Sequence, residues 1–228
     1  MSSIQTTALT DAGSHIGYSR TRRHPTAQKF LLGTKDRTDI FNVENSTKLL
    51  EKAIEFVKAT ASTGRQVLFV GGKAEVQVAL KRAAEKVAMP YVAGRWVGGT
   101  LTNFKNIRGR IDRLVKLMDE REKGELIKYT KRERLMIDRE IDELLARFGG
   151  LISMKEKPMA LFVIDPRHEH TAVREANQLG IPVVALASSD CDFSMLQYPV
   201  PGNDATSKSI AYVIGIIVDA FLAGKKAA

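Results

Sequence analysis

A single cysteine, Cys191, in 228 residues leaves no partner for an internal disulfide. A lone thiol fits a reducing compartment, so the cytoplasm is the expected location. Long apolar runs are also missing. The most apolar stretch, Ile210 to Leu222, is shorter than the roughly 20 residues a bilayer crossing needs, and Asp219 interrupts it. It is read as a buried helix, with no membrane partner. The first residues, MSSIQTTALTDAG, carry no basic residue ahead of an apolar run and no arginine, so neither a secretory signal nor a transit peptide is expected.

Catalytic signatures are absent too. Gly71-Gly72-Lys73 follows an apolar run and opens a helical pattern, where backbone amides can hold a phosphate, but neither G-x-x-x-x-G-K-[ST] nor G-x-G-x-x-G occurs. A tight turn is the better reading. Asp165 ends an apolar run like the acid of a metal-nucleotide strand, yet without a phosphate loop it is expected to cap a helix or serve a loop. His168 and His170 lack further Cys or His at zinc spacing. Asp190, Asp192 and Asp204, with His15, form a weak candidate for a hard cation; loop caps are the better account. No G-x-S-x-G elbow is present and Cys191 has no basic neighbour close in sequence, so neither cofactor, bound metal, small-molecule substrate nor enzymatic turnover is expected.

What is present is positive charge. Lys and Arg number 35 against 26 Asp and Glu, a formal net charge of +9 that favours polyanionic partners. The excess is uneven. His15 to Arg37 holds six cations (Arg20, Arg22, Arg23, Lys29, Lys35, Arg37) and one acid, Asp36, whereas Ser188 to Ala220 holds four acids and one lysine. Lys105 to Arg147 mixes 13 cations with 10 acids, as on a solvated helical surface.

Periodicity sets the fold class. Leu49, Leu50, Ala53, Phe56 and Val57 share one helical face over Ser46 to Thr60, with Asn45 or Ser46 as cap. The wholly apolar run Val67 to Val70 suits a strand buried on both faces of a parallel sheet. The alternation continues through a helix over Ala74 to Ala88, a strand near Tyr91, a strand Ala160 to Ile164, a helix Thr171 to Leu179, a strand Pro182 to Leu186 and a helix Ala205 to Leu222. This predicts an α/β domain: a parallel sheet flanked by helices, Rossmann-like with flavodoxin-like order. Phe104, Ile107, Ile111, Leu114 and Met118, then Ile137, Ile141, Leu144 and Phe148, form two narrow apolar stripes, which predict a coiled-coil helical hairpin inserted at 104–149 between halves 1–103 and 150–228. Its turn falls at Gly124 to Tyr129, with a Thr130/Glu133 capping box. The stripes are expected to bury one another, so that removing Asn106 to Phe148 leaves the α/β core intact.

Several long runs then resemble a known family: MPYVAGRWVGGTLTNFKNIR from Met89, ALFVIDPRHEHTAVREA from Ala160, GIPVVA from Gly180, YPVPGND from Tyr198, and AGSHIG from Ala12 with Arg22, Arg23 and Pro25 beyond. In this order they resemble the second protein of the bacterial small ribosomal subunit. The resemblance implies a structural role without turnover. It also implies partners: small-subunit ribosomal RNA and other small-subunit proteins, including the large protein that recruits messenger RNA. The chain departs from the family pattern at Tyr18-Ser19, Arg23-His24-Pro25 and Val43 to Ser46.

Charge supports RNA independently of the resemblance. Arg20, Arg22 and Arg23 are forked donors for phosphate in an irregular segment with His24 and Lys29; Arg95 precedes Trp96, which is expected in the core; Lys105, Arg108, Arg110 and Arg113 recur along the first hairpin helix. These ten residues, Trp96 apart, are the candidate RNA contacts. The three N-terminal arginines are expected to be ordinary surface sites, each costing no more than about 0.5 kcal/mol when replaced.

Overall fold

The computed structural model describes residues 6–226. In chain order the elements are α1 (Thr6–Asp11), β1 (Ile16–Ser19), β2 (Leu31–Lys35), β3 (Thr38–Phe41), α2 (Val43–Ser62), β4 (Val67–Val70), α3 (Ala74–Val87) and β5 (Tyr91–Val92). They continue with α4 (Phe104–Glu122), α5 (Lys131–Phe148), β6 (Ala160–Ile164), α6 (His170–Gln178), β7 (Val183–Ala187), β8 (Tyr198–Pro201) and α7 (Ser207–Lys226). Helix α2 starts before the expected cap: Asn42 accepts from the Asn45 amide, and the Thr47 hydroxyl donates back to the Val43 carbonyl, so 43–46 is already helical.

Five parallel strands lie in the order β5-β4-β6-β7-β8. Counted among themselves this is 2-1-3-4-5, the flavodoxin-like order expected from the sequence. The apolar strands serve two cores at once, because alternate residues face opposite ways. Phe69, Phe162, Ile164, Val184 and Leu186 face α2, α3 and α7, where Leu50, Leu80, Ile210, Ile217 and Phe221 pack on them. Leu68, Val70, Leu161, Val163 and Ala185 face the other way, toward Phe41, Trp96, Ile111, Phe148 and Val173. Strand β8 contains Pro199 and Pro201, which cannot donate to a ladder; its edge position accommodates them. Helix α7 is long and apolar enough to cross a membrane by length and composition, but its apolar face is spent on this first core.

A second, three-stranded antiparallel sheet, β1-β3-β2, is not foreshadowed by the sequence pattern. Its β2–β3 turn places Asp36 and Arg37 at φ of 49° and 65°, without the Asn-Gly or Asp-Gly pair that marks such turns.

Helices α4 and α5 pack on each other through buried Leu114, Leu117 and Ile141, with Arg113–Glu140 and Arg121–Asp138 pairs alongside. The Thr130/Glu133 capping box forms. The stripes do not bury only each other, however. Ile107, Ile111 and Phe148, at 6%, 0% and 1% exposure, belong to the second sheet core with Leu68, Val70 and Leu151. The expectation that Asn106 to Phe148 can be removed harmlessly is therefore corrected: the first two turns of α4 and the last residue of α5 are core. Deleting 106–148 should leave a destabilised remainder, since removing each large core side chain costs about 2–5 kcal/mol. A shorter deletion of 116–138, closed by a glycine linker, should keep a cooperative thermal transition by circular dichroism. A molten product from the shorter deletion would show that the distal helices also support the sheet.

Candidate functional site

The carboxyl ends of the parallel strands gather most of the buried charge. Gly71 to Lys73 follow β4, Asp165 to His168 follow β6, Ser188 to Asp192 follow β7 and Gly202 to Asp204 follow β8. This is the edge where open α/β sheets ordinarily hold ligands. Here it is filled from within. The Lys73 ammonium lies 2.5 Å from Asp165 and 3.6 Å from Asp204, and donates to the Tyr18 hydroxyl at 3.3 Å. Asp190, almost fully buried, accepts from Arg22 at 3.0 Å and Arg167 at 2.6 Å. Three cations thus face three carboxylates.

Asp204 is the strained member. Both its oxygens are buried with no hydrogen-bond partner among the described residues. Burial, then the nearby charge of Asp165, push its carboxyl up to about 7, against the pull of Lys73. Burial alone would lower the Lys73 ammonium, but Asp204 and Asp165 hold it above its ordinary value. Cys191 Sγ lies 3.8 Å from both Asp165 and Asp190, and burial followed by the charges of Asp204 and Asp165 pushes the thiol well above its normal range. A thiol held protonated is a poor nucleophile.

Donor atoms of Asp165, Cys191 and Asp204 lie within 4.8 Å of one another. This differs from the acidic group expected from sequence. Asp192 is spent on the Ser194 amide and hydroxyl and on Thr26, and His15 lines a small apolar cavity with Leu9 and Gly202. A divalent cation held by Asp165, Cys191 and Asp204 would have to displace the Lys73 ammonium. The phosphate reading of Gly71 to Lys73 meets a similar obstacle: the Gly72 amide donates to Glu169 Oε1 at 2.9 Å, and Lys73 is engaged. Asp165 does cap its loop, accepting from the Arg167 and His168 amides at 3.1 Å, but the ion pair with Lys73 across 92 residues left no local pattern to find.

Glu175 organises the loop that leads to α4. Almost buried on α6, it accepts from Trp96 Nε1, the amides of Gly99, Leu101 and Thr102, and the Thr102 hydroxyl, all at 2.8–3.0 Å. Trp96 is accordingly core, at 8% exposure, and Arg95 beside it points outward.

The candidate RNA contacts divide into two groups. Arg23 binds Asp39 through two nitrogens, Arg22 binds Asp190 and stacks over Tyr18, and Arg113 binds Glu140. Arg108 donates to the carbonyls of Ile152 and Met154 and pairs with Asp112; the His24 ring is hydrogen-bonded to Thr26. By contrast Arg20, Lys29, Arg95, Lys105 and Arg110 are exposed, with no carboxylate within 4 Å among the described residues. Lys157, missed in the sequence because it lies in a short Lys-Glu-Lys loop before β6, outside the basic segments, shares an open groove of about 600 Å³ with Lys105 and Arg108.

Comparison with known proteins agrees with the fold and the motif order. A family model described as ribosomal protein S2 matches residues 9–224. A small ribosomal subunit protein uS2 from Corynebacterium kroppenstedtii is 40% identical over 221 residues, covering 96% of this chain and 77% of the relative. Its namesake from Corynebacterium urealyticum is 41% identical, covering 96% and 82%. The one from Dictyoglomus thermophilum is 36% identical over 225 residues, covering 99% and 92%. With the matched model spanning nearly the whole chain and likeness continuous through the sheet, its charged edge and α4–α5, this chain belongs to the ribosomal protein S2 family.

Proposed function

We propose that this chain is a structural constituent of the small ribosomal subunit, holding small-subunit ribosomal RNA and neighbouring ribosomal proteins in the bacterial cytoplasm without turnover of its own. The observation that carries the reading is end-to-end likeness to relatives named small ribosomal subunit protein uS2. The net charge of +9 agrees with a polyanionic partner. So does a strand edge whose carboxylates are already matched by lysine and arginine, which leaves little there for a soluble substrate. Among protein neighbours the reading includes the large protein that recruits messenger RNA.

Within this reading the exposed cations Arg20, Lys29, Arg95, Lys105 and Arg110 meet phosphate, while Arg22, Arg23, His24, Arg108 and Arg113 hold the surface in shape. Sedimentation of tagged protein from lysate tests the assignment: the chain should travel with small subunits. A salt titration on a small-subunit rRNA fragment tests the phosphate-facing cations. Each phosphate that is no longer neutralised flattens log affinity against log salt by about 0.7 to 0.9. Changing the five exposed cations to glutamine should thus lower the slope by roughly 4. An unchanged slope would place the RNA footprint elsewhere.

A further inference from the structure

Beside the ion-paired strand edge, the loops after β6 and β7 and the start of α6 enclose an open pocket of about 300 Å³. That volume stands at the lower end of the range for small organic ligands, about 300–1,000 Å³. It is room for one nucleotide and too little for a duplex. The floor is apolar: Pro166 and Val173 are buried and Met195 is half-buried.

The rim is polar, and its groups divide by whether the fold already uses them. Asp190 is held by Arg22 and Arg167. Arg174, exposed on α6, has no carboxylate within 4 Å among the described residues. His170, which opens α6 and has no zinc partner in sequence, meets only the Thr171 hydroxyl, at 3.5 Å. The His24 ring is bonded to Thr26 through Nδ1, which leaves Nε2 free among the described residues. Arg174 and His170 lie in the N-terminal half of α6, whose dipole adds to their attraction for an anion. Asp192 supplies the one free acceptor. The Ser194 amide, the Ser194 hydroxyl and Thr26 all donate to its Oδ1, so Oδ2 has no partner among the described residues. Hydrogen bonds from Ser194 hold the carboxyl below the ordinary aspartate value, so at neutral pH it only accepts.

We infer that this pocket holds one unpaired nucleotide of small-subunit ribosomal RNA, its base against Pro166, Val173 and Met195 and its phosphate at Arg174 and His170. The floor decides against a phosphate backbone alone, which recovers nothing from apolar contact, whereas the face of an unstacked base does. Asp192 decides against a paired base: the Watson–Crick N–H groups that its Oδ2 can accept from are already engaged in a duplex. The inference rests on membership of the small subunit, and adds a base contact to the phosphate contacts proposed above.

Small subunits carrying the chain would be isolated by sedimentation, irradiated with ultraviolet light and digested with ribonuclease and protease. The expected result is a peptide containing His170 or Met195 that carries the mass of one nucleotide. Arg174→Glu should cut the yield per incorporated chain about tenfold, the effect of losing one charge-assisted hydrogen bond. Arg65→Glu makes the same charge change at the opposite, amino end of the strands and should leave the yield unchanged. No adduct on these peptides in intact subunits would overturn the inference. So would an equal loss in Arg65→Glu, which would reduce the effect to overall charge. Calorimetry of the free chain with adenosine, guanosine, cytidine and uridine monophosphates separates RNA from a soluble source: micromolar affinity without an adduct in subunits would give the pocket to a free nucleotide and overturn the inference too. Absence of the chain from the subunit peak would instead overturn the ribosomal reading on which it rests.

Discussion

Glu175→Gln should destabilise the chain by about 3–5 kcal/mol, although the two side chains are nearly isosteric. Two carboxylate oxygens accept five hydrogen bonds from the loop between Trp96 and Thr102. Glutamine replaces one acceptor with a donor, so two or three buried N–H and O–H groups lose their partner and confront an NH₂. A hydrogen bond to a charged group contributes about 1.5–3 kcal/mol, and a buried group left unmade costs about 1–3. Burial pushes the Glu175 carboxyl up, but the indole and amide donors outweigh it and hold it below the ordinary glutamate value. A carboxylate depressed in the folded state contributes stability that is fully present above its unfolded value of about 4.3 and disappears as pH falls through its folded value. Denaturant titrations at pH 7 and in steps below pH 4.5 give both readouts. Wild type should lose stability across the acid range faster than Glu175→Gln does. A deficit under 1 kcal/mol at pH 7 would mean that the loop relaxes onto water. Because this loop sets the direction in which α4 leaves the sheet, the same substitution should weaken rRNA binding at Arg95 and Lys105 without touching either.

Four of the five parallel strands were legible as short apolar runs, and nothing but burial on both faces explains Val67 to Val70 or Ala160 to Ile164; β8 was not, because Pro199 and Pro201 break the pattern of a strand. Their order followed from the alternation with amphipathic helices. The antiparallel sheet was hidden for the opposite reason: β2 is almost wholly exposed, Leu31 to Lys35, and its turn relies on Asp36 and Arg37 in a conformation that neither residue advertises. The hairpin helices were visible as stripes, yet periodicity reports only that a face is buried, not against what. Ile107 and Ile111 continue the Leu114 stripe without a break but serve a different core. Charge was the least legible property. Lysine and arginine counts located the basic segment correctly, but Asp39, Asp190 and Glu140, which consume Arg23, Arg22 and Arg113, lie 16, 168 and 27 residues away.

That last point reverses the expectation for Arg23, which the sequence presents as one of three equivalent surface arginines. Arg23→Gln should cost about 3–5 kcal/mol, against no more than about 0.5 for Arg20→Gln. Its partner Asp39 is fully buried in β3, while the Arg23 side chain is only 20% exposed, so water cannot replace the guanidinium. Arg23 also donates to Thr34 on β2, which itself donates to Asp39, so one side chain ties the helical turn after β1 to both strands of the hairpin. The hydrogen bonds from Arg23, outweighing burial, hold the Asp39 carboxyl below the usual carboxylate range. In wild type that stabilisation is complete above the unfolded aspartate value of about 3.9 and is lost as pH drops through the folded one. Without Arg23 the burial cost is no longer offset, so the carboxyl should shift upward and the variant should pay for a buried, unpaired charge most heavily at neutral pH. Its deficit relative to wild type should therefore shrink as pH falls toward 4. Arg23→Gln combined with Asp39→Asn should recover at least half of the loss, because the orphaned charge goes with its partner. The measurement is urea unfolding of the two single variants and the double variant at pH 7 and pH 4.5. A deficit equal to that of Arg20→Gln, or one independent of pH, would show the ion pair to be a surface contact and return Arg23 to the pool of cations free for phosphate.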